Sequence, residues 1–214
     1  MRSTSGRTNA STPYRSIHNY FYIPMIRQET DRIRVVDKTF KPLIPPEEVQ
    51  RIVQRIAATI NQTFQGKEVS LLVILKGAMP FAVDLMRHLS LMVQVETLRA
   101  SSYHNNLTST GIVTVEDSLP DMRGKHIIIV EDIVDSGNTI RELIKRLSSQ
   151  EPASISIAAF LSKPAVHAND ISIDFVGKEI GRDFVVGYGL DYAGYGRQLP
   201  GVWTLADDNA PPNT

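Results

Sequence analysis

Two adjacent carboxylates, Glu131 and Asp132, end an unbroken apolar run, Ile127-Ile128-Ile129-Val130. Past Ile133 and Val134 comes a polar turn, Asp135-Ser136-Gly137-Asn138-Thr139. A turn that feeds a helix N-terminus presents free backbone N–H groups and the positive end of the helix dipole. Ser136 and Thr139 add hydroxyl donors, and Gly137 lets the backbone approach closely. That combination can cradle a phosphate monoester. The carboxylates beside it would repel a polyphosphate laid directly over them. They suit the hydroxyls of a sugar diol, which need acceptors. The ligand suggested is a 5-phosphorylated ribose.

These residues need elements to hold them. The β-branched run reads as a buried parallel strand. After the turn, Ile140, Leu143, Ile144 and Leu147 recur at helical spacing. Thr139 and Glu142 stand at capping-box spacing, which predicts that the helix starts there. A further buried strand, Val69–Leu75, runs straight into Lys76-Gly77, and another, Ser154–Leu161, runs into Ser162-Lys163-Pro164. A lysine at the carboxyl end of a parallel strand lies on the edge where open α/β sheets bind ligands. Phe184 offers a flat face for a planar base, and Asp191 and Arg197 offer a metal-side carboxylate and an anion contact.

The remaining segments fill in the frame. Pro45-Pro46-Glu47-Glu48 is a good helix start. Val49, Ile52, Val53, Ile56, Ile60 and Phe64 give that helix one apolar face, and Gly66 lies just past its end. Pro80–Leu89 reads as a helix with Phe81, Ala82, Leu85 and Leu89 inward. Strands are expected at Gln94–Arg99, Ile112–Val115, Asp174–Val176 and Val202–Leu205, with a short edge strand at Arg34–Lys38. The polar segment 101–111, which contains Ser102, Tyr103 and His104, has almost no apolar anchors and is expected to be mobile. His104 and His167 read as surface residues. Alternating strands and helices imply an α/β fold, a mostly parallel sheet of about five strands flanked by helices.

Composition sets the outer limits. The chain has 214 residues, a formal net charge of zero and no cysteine. One domain is expected, over 32–206. Disulfides, a cysteine nucleophile and thiolate metal sites are excluded. There is no electrostatic case for nucleic acid, and no apolar run approaches the roughly 20 residues of a membrane span. Residues 1–31 are rich in Ser, Thr and Arg, with no acid before Glu29. They read as a disordered extension, which goes with a cytoplasmic location. The alternative is an organellar transit peptide. Residues 207–214 read as a flexible tail.

The stretch 127–139 resembles the phosphoribosyl pyrophosphate (PRPP) signature of type I phosphoribosyltransferases, and every position of that pattern is filled. Four other segments sharpen the likeness: Leu-Lys-Gly at 75–77, Ser-Tyr at 102–103, Lys-Pro at 163–164, and Phe-Val-Val-Gly-Tyr-Gly-Leu-Asp-Tyr at 184–192 followed by Arg197. Together they are similar to the hypoxanthine-guanine phosphoribosyltransferases, closer to the bacterial form, over about residues 37 to 205.

The resemblance implies a set of roles. Asp135, Ser136, Gly137, Asn138 and Thr139 would hold the 5-phosphate. Glu131 and Asp132 would hold the ribose hydroxyls with Mg2+ nearby, and Asp191 would reach a second Mg2+ through water. Lys76, Gly77 and Arg197 would face the pyrophosphate. Ile133, Lys163, Phe184, Val185 and Asp191 would line the 6-oxopurine site, with Lys163 on the 6-oxo group. Ser102 and Tyr103 would sit on a closing lid, and Asp135 would act as the base. A small hood from the two ends of the chain and a homodimer or homotetramer are also implied. Two positions depart from the family pattern. Ala165-Val166-His167 replaces the basic residues often found after Lys-Pro, and Gly196 stands where a bulkier residue is common, which would loosen Arg197. Two alternatives stay open on the same fold, a PRPP-binding regulator and a xanthine-preferring transferase.

Overall fold

The computed structural model describes residues 32–102, 113–115, 119–166 and 171–206. Its main sheet takes in β3 (Glu68–Leu75), β4 (Met92–Ser102), β5 (Val113–Val115), β6 (His126–Val134), β7 (Ser154–Ser162) and β8 (Phe175–Glu179), in the order β5-β4-β3-β6-β7-β8. All neighbours from β4 to β8 run parallel, and only the short β5 is antiparallel to β4. The unbroken Ile127–Val130 run is central because both faces of the sheet are covered. Ile128 and Val130 join a core with α1 (Pro46–Thr63) and α2 (Met79–His88), centred on Phe81 and Phe160. Ile127 and Ile129 join the core beneath α3 (Asn138–Ser148).

Helix starts follow from local chemistry. Pro46 sits in the first turn of α1, where its missing N–H costs nothing, and Glu47 and Glu48 complement the dipole. The apolar face buries Val49, Ile52, Val53, Ile56, Ala57 and Ile60. At α3 the capping-box expectation fails. The cap is Gly137, left-handed at φ 77°, and no side chain caps the helix. The chain can enter α3 through this turn because glycine accepts that φ. The helix therefore begins at Asn138, and Thr139 lies inside it.

A second sheet of four antiparallel strands forms a hood, ordered β1-β2-β10-β9 from β1 (Ile33–Val35), β2 (Lys38–Ile44), β9 (Val185–Val186) and β10 (Val202–Leu205). Arg34–Lys38 is not one edge strand. It spans a hairpin with Val36 and Asp37 in the turn, and β1 and β2 pair across it. The extension 1–31, Tyr103, His104, the rest of the lid segment to 111, His167 and the tail 207–214 lie outside the described residues.

Two contacts fasten hood to sheet. The Tyr188 hydroxyl donates to Asp84 Oδ2 on α2 at 2.8 Å, and its ring packs 4.7 Å from that of Phe160. A Cβ at Gly189 would stand 1.9 Å from the carbonyl oxygen of Gly77, so the two backbones meet directly. Gly189 also has φ +98°. Gly66, at φ +75°, has nothing within 4 Å of an added Cβ. Gly66→Ala is therefore expected to cost only its backbone strain, about 1–2 kcal/mol. Gly189→Ala is expected to cost clearly more, because the clash adds to the strain. Urea unfolding of the two variants checks the order.

Candidate active site

The carboxyl ends of β3, β6 and β7 lie side by side, and the hood covers them. Between them is a cleft of about 350 Å³. Its floor comes from the sheet edge: Lys76 and Gly77 after β3, Glu131, Asp132 and Ile133 on β6, Asp135 beyond it, and Lys163 after β7. Its roof comes from Phe184, Val185, Asp191 and Arg197. Eleven residues singled out from the sequence thus share one wall. Ser136, Gly137, Asn138 and Thr139 continue from Asp135 and are not part of that wall. Ser102 ends β4, paired with Val113. Ile74, Leu75, Ala100 and Leu190 also line the cleft. As apolar residues in strand-like runs they carried no signal beyond core.

Glu131 and Asp132 set the electrostatics. Burial raises the Glu131 carboxyl well above its ordinary range, and the neighbouring Asp132 charge adds to this. Among the described residues its Oε2 is buried with no hydrogen-bond partner. Burial likewise pushes Asp132 up to about 6, opposed by the Ile133 N–H at 3.0 Å and by Arg197. Both residues keep part of their surface open to the cleft, so water tempers the desolvation, and the direction is upward in each. Gly77 makes room for this arrangement. A Cβ there would stand 1.7 Å from Asp132 Oδ2. Its small size therefore serves the carboxylate, a use that the sequence did not show.

Lys163 and Asp135 form an ion pair at 3.2 Å, with 9% and 51% of their side-chain surfaces exposed. The Lys163 backbone N–H donates to Val134 O at 2.9 Å, which locks the end of β7 to β6. Above them Phe184 is 44% exposed. Its ring is set by Phe40 at 6.4 Å and, edge-on, by Tyr192 at 5.8 Å. Arg197 pairs with Asp191 and donates to Gly189 O at 2.6 Å, while Asp191 Oδ2 accepts from Gly194 N–H at 2.7 Å. The expected loosening at Gly196 is not seen. Arg197 is held by both partners, and a Cβ at Gly196 would stand 2.4 Å from Val186 Cγ2.

The cleft thus offers a desolvated carboxylate pair, two strand-end lysines, an arginine and a half-exposed aromatic face. The phosphoribosyl transferase domain model matches residues 46–193. Over 166 residues the chain is 39% identical to the hypoxanthine-guanine phosphoribosyltransferase of Bacillus subtilis, covering 77% of this chain and 92% of that one. The namesake from Streptococcus pneumoniae is 34% identical over 169 residues, 78% of this chain and 94% of the relative. A crystal structure of a hypoxanthine-guanine phosphoribosyltransferase from Bacillus anthracis superposes with a TM-score of 0.73 at 35% identity, covering 78% of this chain and 98% of that one. The chain belongs to the hypoxanthine-guanine phosphoribosyltransferase family. It is a transferase of purine salvage with the type I phosphoribosyltransferase fold.

The raised carboxyls have a consequence for stability. The folded-state value for Asp132, about 6, lies above the ordinary 3.8, so between these values the folded chain holds the proton more tightly. Stability of the ligand-free chain therefore falls as pH rises through this window. Above about 6 the full cost of the buried charge is present. Asp132→Asn is expected to raise the ligand-free Tm at pH 7.5, by about 2–4 °C for each kcal/mol relieved, and to flatten its change between pH 5 and 7.5. Differential scanning calorimetry measures both.

Proposed function

We propose that the chain transfers the 5-phosphoribosyl group from PRPP to N9 of hypoxanthine or guanine, giving IMP or GMP and pyrophosphate. The observation that carries this is the Lys163–Asp135 pair beneath Phe184. A 6-oxopurine presents an acceptor, O6, beside N7, which must shed its proton. A lysine donor and a carboxylate acceptor side by side match that edge. An amino group in place of O6 would meet a lysine that has nothing to accept with.

In this reading Phe184 stacks on the base, Ile133 packs on its other side and Val185 contacts it through its backbone. The turn 135–139 holds the 5-phosphate, and Glu131 and Asp132 hold the ribose hydroxyls. Lys76, Gly77 and Arg197 face the pyrophosphate, and Ser102 and Tyr103 belong to the lid. As the C1–oxygen bond to pyrophosphate breaks and the C1–N9 bond forms, positive charge develops on the sugar ring. The carboxylates stabilise it. Asp135 takes the N7 proton. The cationic side chains neutralise the departing pyrophosphate, and closure of the cleft excludes water.

The donor set fits Mg2+. Glu131 Oε2 is buried without a partner, Asp132 lies beside it, and Asp191 is already fixed across the cleft. Among the described residues no group of three or more metal-ligating side chains forms. Substrate oxygens and water would complete the shell, as is usual for this ion. When bound, Mg2+ supplies charge neutralisation of the pyrophosphate. The enzyme works in the cytoplasm as a homodimer or homotetramer, without nucleic acid or membrane.

Given PRPP, Mg2+ and hypoxanthine, the chain is expected to form IMP and pyrophosphate in equal amounts. PRPP binding without turnover of any base would favour the regulator instead. Asp135→Asn is expected to keep the fold and PRPP binding while lowering kcat by about 10²–10⁴-fold, the usual worth of general acid–base help. An unchanged kcat would remove Asp135 from the role of base.

A further inference from the structure

Arg141 sits in the first turn of α3, immediately after the phosphate turn. One of its guanidinium nitrogens, Nη1, donates to the Ser136 carbonyl at 3.0 Å and to Asn138 Oδ1 at 2.8 Å. The same nitrogen would lie 3.6 Å from a Cβ on Gly137, so the guanidinium packs beside the left-handed cap. Its own backbone N–H donates to Gly137 O at 3.0 Å. One residue thus touches three consecutive positions of the turn, through side chain and backbone.

The chemistry of an anion cradle explains why such a brace matters. Backbone N–H groups can converge on an anion only if the neighbouring carbonyls point elsewhere and find donors. No side chain caps α3, so the turn lacks the clamp that a capping serine or threonine would provide. Arg141 supplies another. It engages the Ser136 carbonyl and the Asn138 carboxamide, and it brings a permanent positive charge to a turn that receives a dianion.

We infer that Arg141 is a positioning residue for the phosphate turn, setting affinity for the 5-phosphate end of the donor; this rests on the phosphoribosyl reading above. The role is separable from chemistry at C1, because Arg141 lies outside the cleft wall. Arg141→Leu is expected to raise KM for PRPP about 10-fold, the scale of a lost hydrogen bond to a charged group. KM for the purine and kcat should stay within about two-fold, since Arg141 contacts neither the base nor the reacting carbon. Calorimetric titration with ribose 5-phosphate, which needs no turnover, should weaken in parallel. Arg141→Gln keeps a donor without the charge and guards against a folding defect. It is expected to retain the wild-type Tm and show an intermediate KM.

Wild-type KM for PRPP and wild-type ribose 5-phosphate affinity in both variants would overturn the inference. So would equal losses for PRPP and purine, which would mark a general structural role. A wild-type chain that binds neither PRPP nor ribose 5-phosphate would overturn the phosphoribosyl reading itself.

Discussion

At the carboxyl end of β6, Glu131 and Asp132 hold two carboxyl groups side by side in a largely desolvated place. In isolation such a pair is unfavourable, since neither burial nor like charge favours ionisation. The surroundings are arranged to tolerate it. Gly77 leaves space for the Asp132 carboxylate, the Ile133 N–H donates to it, and Arg197 lends charge from the hood. Glu131 keeps one buried oxygen without a partner among the described residues. Groups left in that condition await a ligand that brings donors or positive charge, and a sugar diol with a divalent cation brings both. In the proposed function the cost falls on the empty chain and is returned on binding.

The same constraint explains why the hood must meet the sheet so closely. Arg197 acts on Asp132 only if the loop 187–199 is pressed against the end of β3. Direct contact between Gly189 and the Gly77 carbonyl achieves this, with Tyr188 anchored to Asp84 as a second fastening. Two small residues from distant parts of the chain thus set the depth of the cleft. The hood also fixes Phe184, whose ring is flanked by Phe40 and Tyr192 on the antiparallel sheet side. In the proposed function, base recognition and pyrophosphate recognition therefore share one support.

Much of this was legible in the sequence because strand ends advertise themselves. The Ile127–Val130 run, the apolar strand before Lys76 and the strand before Lys163 placed three chemical groups on one edge without knowledge of the sheet order. The misses have physical causes. β2 carries Pro42 and shows no clean alternation, so it does not read as a strand, and Val36-Asp37, which form the hairpin turn, read as part of one. β8 runs past Val176 because Lys178 and Glu179 go on pairing with Leu161 and Ser162 of β7, a partnership that no local pattern reveals. Thr139 and Glu142 had the spacing of a cap, yet the left-handed Gly137 won the position. The fit of Gly77 to Asp132 and the reach of Arg141 across its turn depend on three-dimensional proximity, which spacing does not encode.

In the proposed function the cleft joins a phosphoribosyl donor to a purine recognised through its 6-oxo edge. Its most direct test is the ratio of kcat/KM for hypoxanthine to that for adenine, measured with saturating PRPP and Mg2+. A site built around a buried donor rejects the analogue that cannot accept, so a ratio on the order of 10⁴ is predicted. Comparable turnover of adenine would contradict the assignment of Lys163 and Asp135 to the 6-oxo and N7 edge.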